Sequence, residues 1–146
     1  MKTYLTALLI AICITTSFAQ NTPQEITDTF FKTFKNEGAS KAIDELYKSN
    51  SWITRNADAI SNLKSQLEGL NKDYVGEYYG NEKINSKSLG SSFVHLSYMA
   101  KYDRQPLRFI FQYYKPKDTW MIYSFSFDAK ISEELAESAK IYYQNL

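Results

Sequence analysis

Residues 92–127, SFVHLSYMAKYDRQPLRFIFQYYKPKDTWMIYSFSF, decide the fold. Three apolar runs of strand length are separated by Asp103-Arg104-Gln105-Pro106 and Lys115-Pro116-Lys117-Asp118, both clusters with turn chemistry. Strands joined by such short links run antiparallel. The stretch therefore predicts strands over 92–102, 107–114 and 119–127, and the aromatic run ahead of it predicts another over 74–84.

Alternation assigns the faces. Val94, Leu96, Tyr98, Ala100 and Tyr102 share one side, with Leu107, Phe109, Phe111 and Tyr113 on the next strand and Met121, Tyr123, Phe125 and Phe127 on the last. These sets are apolar or phenolic throughout, and they are assigned to the face under the helices. The opposite side mixes His95, Ser97, Arg108, Ile110, Tyr114, Trp120 and Ile122, too apolar for a solvated face and too polar for a core. A partner is expected to cover it, so His95, Ile110, Tyr114, Trp120 and Ile122 form the expected homodimer face. A bulge in strands this long would reverse part of the assignment.

Three helices are predicted upstream. Thr22-Pro23-Gln24-Glu25 is a capping box with proline at the first helical position, followed by Ile26, Phe30, Phe31 and Phe34 on one stripe and Gly38 as a stop. Ser40 is expected to cap a second helix through Ile43, Leu46 and Tyr47. A third spans 56–70 with Ile60, Leu63, Leu67 and Leu70 on one face. Residues 132–143 form a short closing helix capped by Ser132.

The first residues carry Lys2, an apolar stretch over 5–14 and the small-residue pattern Ser17-Phe18-Ala19. This order of parts is that of a cleaved signal peptide, too short to span a bilayer. Cleavage after Ala19 leaves 20–146 as one domain, exported to the periplasm or beyond and without a membrane span. Ile12 before Cys13 is not the small residue a lipobox requires. Cys13 is the only cysteine, so 20–146 offers neither a disulfide nor a thiolate metal ligand.

With Lys2 removed the chain is electrically neutral, which argues against a nucleic-acid partner. Residues 83–117 nevertheless carry 7 basic side chains against 1 acidic. They are scattered, as on strand edges where lysine discourages pairing.

His95, the only histidine, lies on the face away from the helices and lacks a triad partner. No metal site or cofactor is expected. Tyr98, Tyr102, Tyr113 and Tyr123 converge from adjacent strands, with Tyr78 from the first. Buried phenols need hydrogen-bond partners, so these side chains form either a core edge or the wall of a pocket for a mostly apolar ligand. Trp52 is expected to plug the mouth of that pocket or to pack as core. Arg108 has Glu77 as a plausible cross-strand partner, and Asp103 and Asp128 read as caps at strand ends.

Helices followed by a long-stranded aromatic meander resemble the NTF2-like (cystatin-like) superfamily, the cone-shaped α+β fold. More narrowly, residues 74–80 (YVGEYYG), 106–109 (PLRF), 113–120 (YYKPKDTW) and 125–128 (FSFD) resemble a group of small exported bacterial domains of that superfamily with no assigned activity. The resemblance implies N-terminal helices on a strongly curved four-stranded sheet, a cavity between them and a homodimer through the outer face. The superfamily includes isomerases, hydrolases, cyclases and dehydratases beside transport factors and dimerisation modules, so fold alone does not choose. Its enzymes place an Asp/His or Asp/Tyr/Asp set in the cone, and no such set is matched here. The expected function is therefore a non-catalytic ligand-binding or dimerisation module, the alternative being a small-molecule isomerase, dehydratase or hydrolase.

Overall fold

Thr22 starts the first helix as the sequence predicts. Its hydroxyl accepts from the Glu25 amide while the Glu25 carboxylate accepts from the Thr22 amide, so two otherwise orphaned donors are satisfied reciprocally. The structure, a computed structural model, describes residues 21–144; the leader expected over 1–19 lies outside the described residues. Helix α1 (Pro23–Glu37) stops at Gly38, whose φ of 91° only glycine adopts readily. Then follow α2 (Ala39–Tyr47), a 3-10 turn (Ile53–Arg55), α3 (Ala57–Glu68) and a single turn α4 (Lys72–Val75). Strands β1 (Tyr78–Leu89), β2 (Phe93–Tyr102), β3 (Leu107–Tyr114) and β4 (Met121–Asp128) precede helix α5 (Ile131–Gln144).

The chain is thus α+β, with helices ahead of an open four-stranded antiparallel sheet in the order β1-β2-β3-β4 and a short C-terminal helix after it. Among the described residues no helix is long and apolar enough to cross a membrane.

The core lies between α1–α2 and the sheet. Phe30 is fully buried, its ring centroid 5.1 Å from those of both Phe111 and Phe125 and 6.3 Å from that of Phe109. Edge and tilted contacts at these distances add to the area each ring removes from water. Ala42, Ile43 and Leu46 supply the buried face of α2, whereas α3 contributes only Leu67 fully.

Several expectations are corrected. The first strand begins at Tyr78, not residue 74, because the Asn71 side chain accepts from the Asp73 and Tyr74 amides and nucleates α4 instead. Gly76, with φ 89°, ends that turn against Asp103, where an added Cβ would sit 2.4 Å from the Asp103 Cβ. Helix α2 begins at Ala39 with Gly38 as its N-cap, so Ser40 caps nothing; likewise Ser132 lies inside α5, and Asp128 accepts from the Lys130 amide ahead of it.

The last strand carries the main reversal. The pairing slips between Gln112 and Tyr113, so that Gln112 faces Ser124 but Tyr113 faces Ile122. This bulge turns Ile122 into the core, fully buried, and Tyr123 outward, 59% exposed. Ser49 and Asn50 hold it: the Ser49 hydroxyl accepts from the Ile122 amide at 3.0 Å, and the Asn50 amide donates to the Ile122 carbonyl at 2.7 Å. Trp120, half-buried, packs against the core instead of lying on the outer face. Of the expected dimer face, Trp120 and Ile122 therefore fall away, and His95, Ile110 and Tyr114 keep the outward register.

Part of that face is tied to α5. The Arg108 guanidinium grips both oxygens of Asp128, at 3.0 and 2.7 Å, and reaches Glu134 of α5 at 3.1 Å; Glu77 pairs elsewhere, with Lys72. Burial opposes the charge on Asp128, yet Arg108 and the Lys130 amide outweigh it and hold the carboxyl below the usual range. A carboxylate depressed in this way stabilises the fold fully above its unfolded value of about 3.9 and loses that contribution as pH falls through the folded value. Acidification from roughly pH 5 to pH 2 should release α5 ahead of the core. Hydrogen exchange should show protection over residues 131–140 falling while that of β3 persists; equal loss in both would refute the tether.

Candidate functional site

The phenols expected to form one wall divide into three environments. Tyr113 is fully buried, and its hydroxyl lies 2.6 Å from that of Thr27 on α1. Tyr98 is met by the Gln24 side-chain amide at 2.8 Å, and the Phe31 ring lies over it at 5.0 Å. Desolvation raises the pKa of both phenols. Both are core residues whose polar ends α1 satisfies, and the Phe31 and Phe111 rings pack against Tyr98.

Tyr123 and Trp52 are corrected outright. The bulge aims Tyr123 away from the helices, where its ring meets Phe93 at 5.6 Å. Trp52 is 66% exposed, with the Arg55 guanidinium 4.2 Å above its ring, and plugs nothing.

Tyr78 and Tyr102 remain together, ring centroids 5.4 Å apart, at one end of the β1–β2 pair. They line a hollow of about 520 Å³ between the α1–α2 corner, the end of α3 and α4. Phe34, Leu67 and Leu70 supply its apolar wall, and Lys35, Glu68, Lys72 and Glu77 its rim. Phe34 stands edge-on to Tyr78 at 5.2 Å. The Tyr78 hydroxyl donates to Asn81 at 3.0 Å.

Tyr102 differs. It is 9% exposed, and its hydroxyl has no hydrogen-bond partner among the described residues. Burial pushes this phenol up to about 12, so at neutral pH it carries its proton and can donate. Ser97, the other buried hydroxyl without a partner, lies in register between Asn85 and Ile110 on the opposite face.

A second hollow of about 390 Å³ is lined by Ile26, Thr29, Glu45, Lys48, Ser49 and Trp120. Four of its polar side chains are engaged: Thr29 with the Glu25 carbonyl, Glu45 with Lys48, and Ser49 with the Leu46 carbonyl and the Ile122 amide.

His95 is half-buried on the outer face, and burial lowers its pKa further than Glu134 raises it. Among the described residues no cluster of three or more His, Cys, Asp or Glu is placed to hold a metal ion.

The hollow was only half legible in the sequence. Tyr78 and Tyr102 follow from alternation, but Phe34, Leu67 and Leu70 join them through helix packing. Their only signal is the apolar stripe each helix carries.

No family model matches the chain, and neither a curated protein nor a solved structure is significantly similar to it.

Two substitutions separate the phenol environments. Tyr113→Phe removes a satisfied buried hydroxyl and should cost about 1 kcal/mol in urea unfolding. Tyr102→Phe removes an unsatisfied one and should leave stability unchanged or raised. A Tyr102→Phe loss as large as that of Tyr113→Phe would mean that the Tyr102 hydroxyl is satisfied within the fold.

Proposed function

We propose that this domain is a non-catalytic binding module that holds a small, largely apolar ligand in the hollow lined by Tyr78 and Tyr102. The observation that carries the reading is the hollow itself, about 520 Å³ of open space walled by Phe34, Leu67, Leu70, Tyr78 and Tyr102. An export role and an NTF2-like, cone-shaped frame complete the proposal. The first is supported by the leader pattern over 1–19 and the second by helices ahead of an antiparallel meander.

The enzyme alternative has weaker support. Proton transfer near neutrality needs an acid or base whose pKa lies there and that faces the ligand. Tyr102 is a donor held far above that range, Glu77 is paired with Lys72 at 3.0 Å, and His95 is on the outer face.

A fragment screen followed by amide and aromatic NMR tests the binding reading. Small apolar fragments should shift resonances of Phe34, Leu67, Tyr78 and Tyr102 together. Shifts confined to other surfaces, or no binders at millimolar concentration, would overturn it.

Homodimerisation is a second reading, favoured by a specific patch. Leu89, Phe93, Tyr114 and Tyr123 gather at one end of the outer face, and Leu89 is 78% exposed. Sedimentation at high concentration should show a dimer that Tyr123→Lys dissociates. A monomer at every concentration would eliminate it.

A further inference from the structure

The end of the sheet opposite the hollow carries a different surface. Leu89, Phe93, Tyr114 and Met121 are register partners across all four strands, and the bulge sets Tyr123 beside them, its ring 5.6 Å from that of Phe93. Leu89, Tyr114 and Tyr123 are exposed. The row lies where two turns meet, β1–β2 and β3–β4: the Lys115 amide donates to the Ser92 carbonyl at 2.8 Å, so the two tips stand side by side. A Cβ built on Gly90 would meet nothing within 4 Å, so the first tip projects into open space.

The charge of these tips is one-sided. Residues 87–95 and 112–123 hold Lys87, Lys115 and Lys117 against Asp118 alone. Glu137 of α5 lies within electrostatic reach of Lys87 but is itself bonded to Lys140. The rest of the outer face does not extend the apolar row. The next row inward is polar, formed by Lys87, His95, Gln112 and Ser124. Beyond it α5 is tied down through Glu134, to Arg108 at 3.1 Å and to Asn85 at 3.4 Å.

What remains is a narrow apolar strip at two projecting tips, rimmed by lysines. A protein interface of ordinary size engages about 20–30 residues a side, and two copies closed on this strip would set the lysines of one against those of the other. A bilayer needs neither a groove nor a wide footprint. Its interface takes up leucine and aromatic side chains, and an anionic leaflet attracts lysines.

We propose that these tips are a docking surface for an anionic lipid bilayer. Leu89 enters the acyl boundary, Tyr114 and Tyr123 lie at headgroup depth, and Lys87, Lys115 and Lys117 meet the lipid phosphates. Docking in this way leaves the hollow, at the other end of β1–β2, open to solvent.

Co-sedimentation with vesicles tests this on residues 20–146, which hold every element and core contact described and lack the apolar stretch over 5–14 that would bind lipid by itself. Phosphatidylcholine vesicles are compared with an equal mixture of phosphatidylcholine and phosphatidylglycerol. Binding to the mixture should be about tenfold tighter or more, an advantage that salt at about 1 M removes. Lys87→Gln and Lys117→Gln should each weaken it about fivefold. Leu89→Ser combined with Tyr123→Ser should weaken it about tenfold, whereas Trp52→Ser, at an exposed ring elsewhere, should have no effect. All five positions are exposed, so circular dichroism should show the fold retained. Failure to bind the mixed vesicles, equal binding to both kinds, or binding that survives the Leu89 and Tyr123 changes would each overturn the proposal. A dimer that Tyr123→Ser dissociates, found without vesicle binding, would overturn it in favour of a second copy.

Discussion

The packing of Phe30 against Phe109, Phe111 and Phe125 governs the rest of the structure. Four fully or nearly fully buried rings occupy the space between α1 and the middle of the sheet, with Phe31 and Phe34 extending the cluster along the helix. A ring truncated at such a site costs about 3–5 kcal/mol, a large share of a domain's whole stability. Because this interior is solid, any phenol entering it must find its partner on the helix above. Tyr113 does so through Thr27 and Tyr98 through Gln24. Open space is displaced to the end of β1–β2, where α1 has stopped at Gly38 and α3 delivers Leu67.

The strand edges show how the sheet is finished. β4 is not left bare where it bulges, since Ser49 and Asn50 supply both a donor and an acceptor to Ile122, in place of a fifth strand. The opposite edge, β1, alternates Asn81, Lys83, Asn85 and Lys87 and is mostly exposed. Polar and cationic residues there discourage pairing with another chain. The outer face receives α5 through Arg108, whose bidentate grip on Asp128 and single bond to Glu134 join β3, β4 and the helix at one point. Removing one partner of such a cluster would leave a poorly solvated charge behind, which is why the contact fixes geometry more surely than it adds stability.

Much of this was legible in the residues. Alternation in β2 and β3 names the core side from Leu96 onward, because each strand has an apolar or phenolic set facing a mixed one; Ser97, buried on the opposite face, is the exception. The Thr22 capping box and Gly38 set the limits of α1 because both signals act within a few residues. What escaped depends on contacts distant in sequence. In residues 121–125, MIYSF, Ile122 and Tyr123 are each acceptable in a core, so no local pattern locates the bulge; the polar atoms of Ser49 and Asn50 do. The turn at α4 is stabilised by Asn71 locally, but its abrupt end at Gly76 follows from the approach of Asp103, 27 residues later. The site was legible to the same extent: the strand phenols could be named, their sorting into core and hollow could not.

That sorting is what gives Tyr102 its meaning. Phenylalanine would fill the same volume without a buried hydroxyl to satisfy, and on the strand it has an equal propensity. Tyr98 and Tyr113 keep their hydroxyls because Gln24 and Thr27 use them to fasten α1 to the sheet. The Tyr102 hydroxyl fastens nothing among the described residues. The side chain instead closes the corner where α1 and α3 end and the core leaves a hollow, its ring against that of Tyr78.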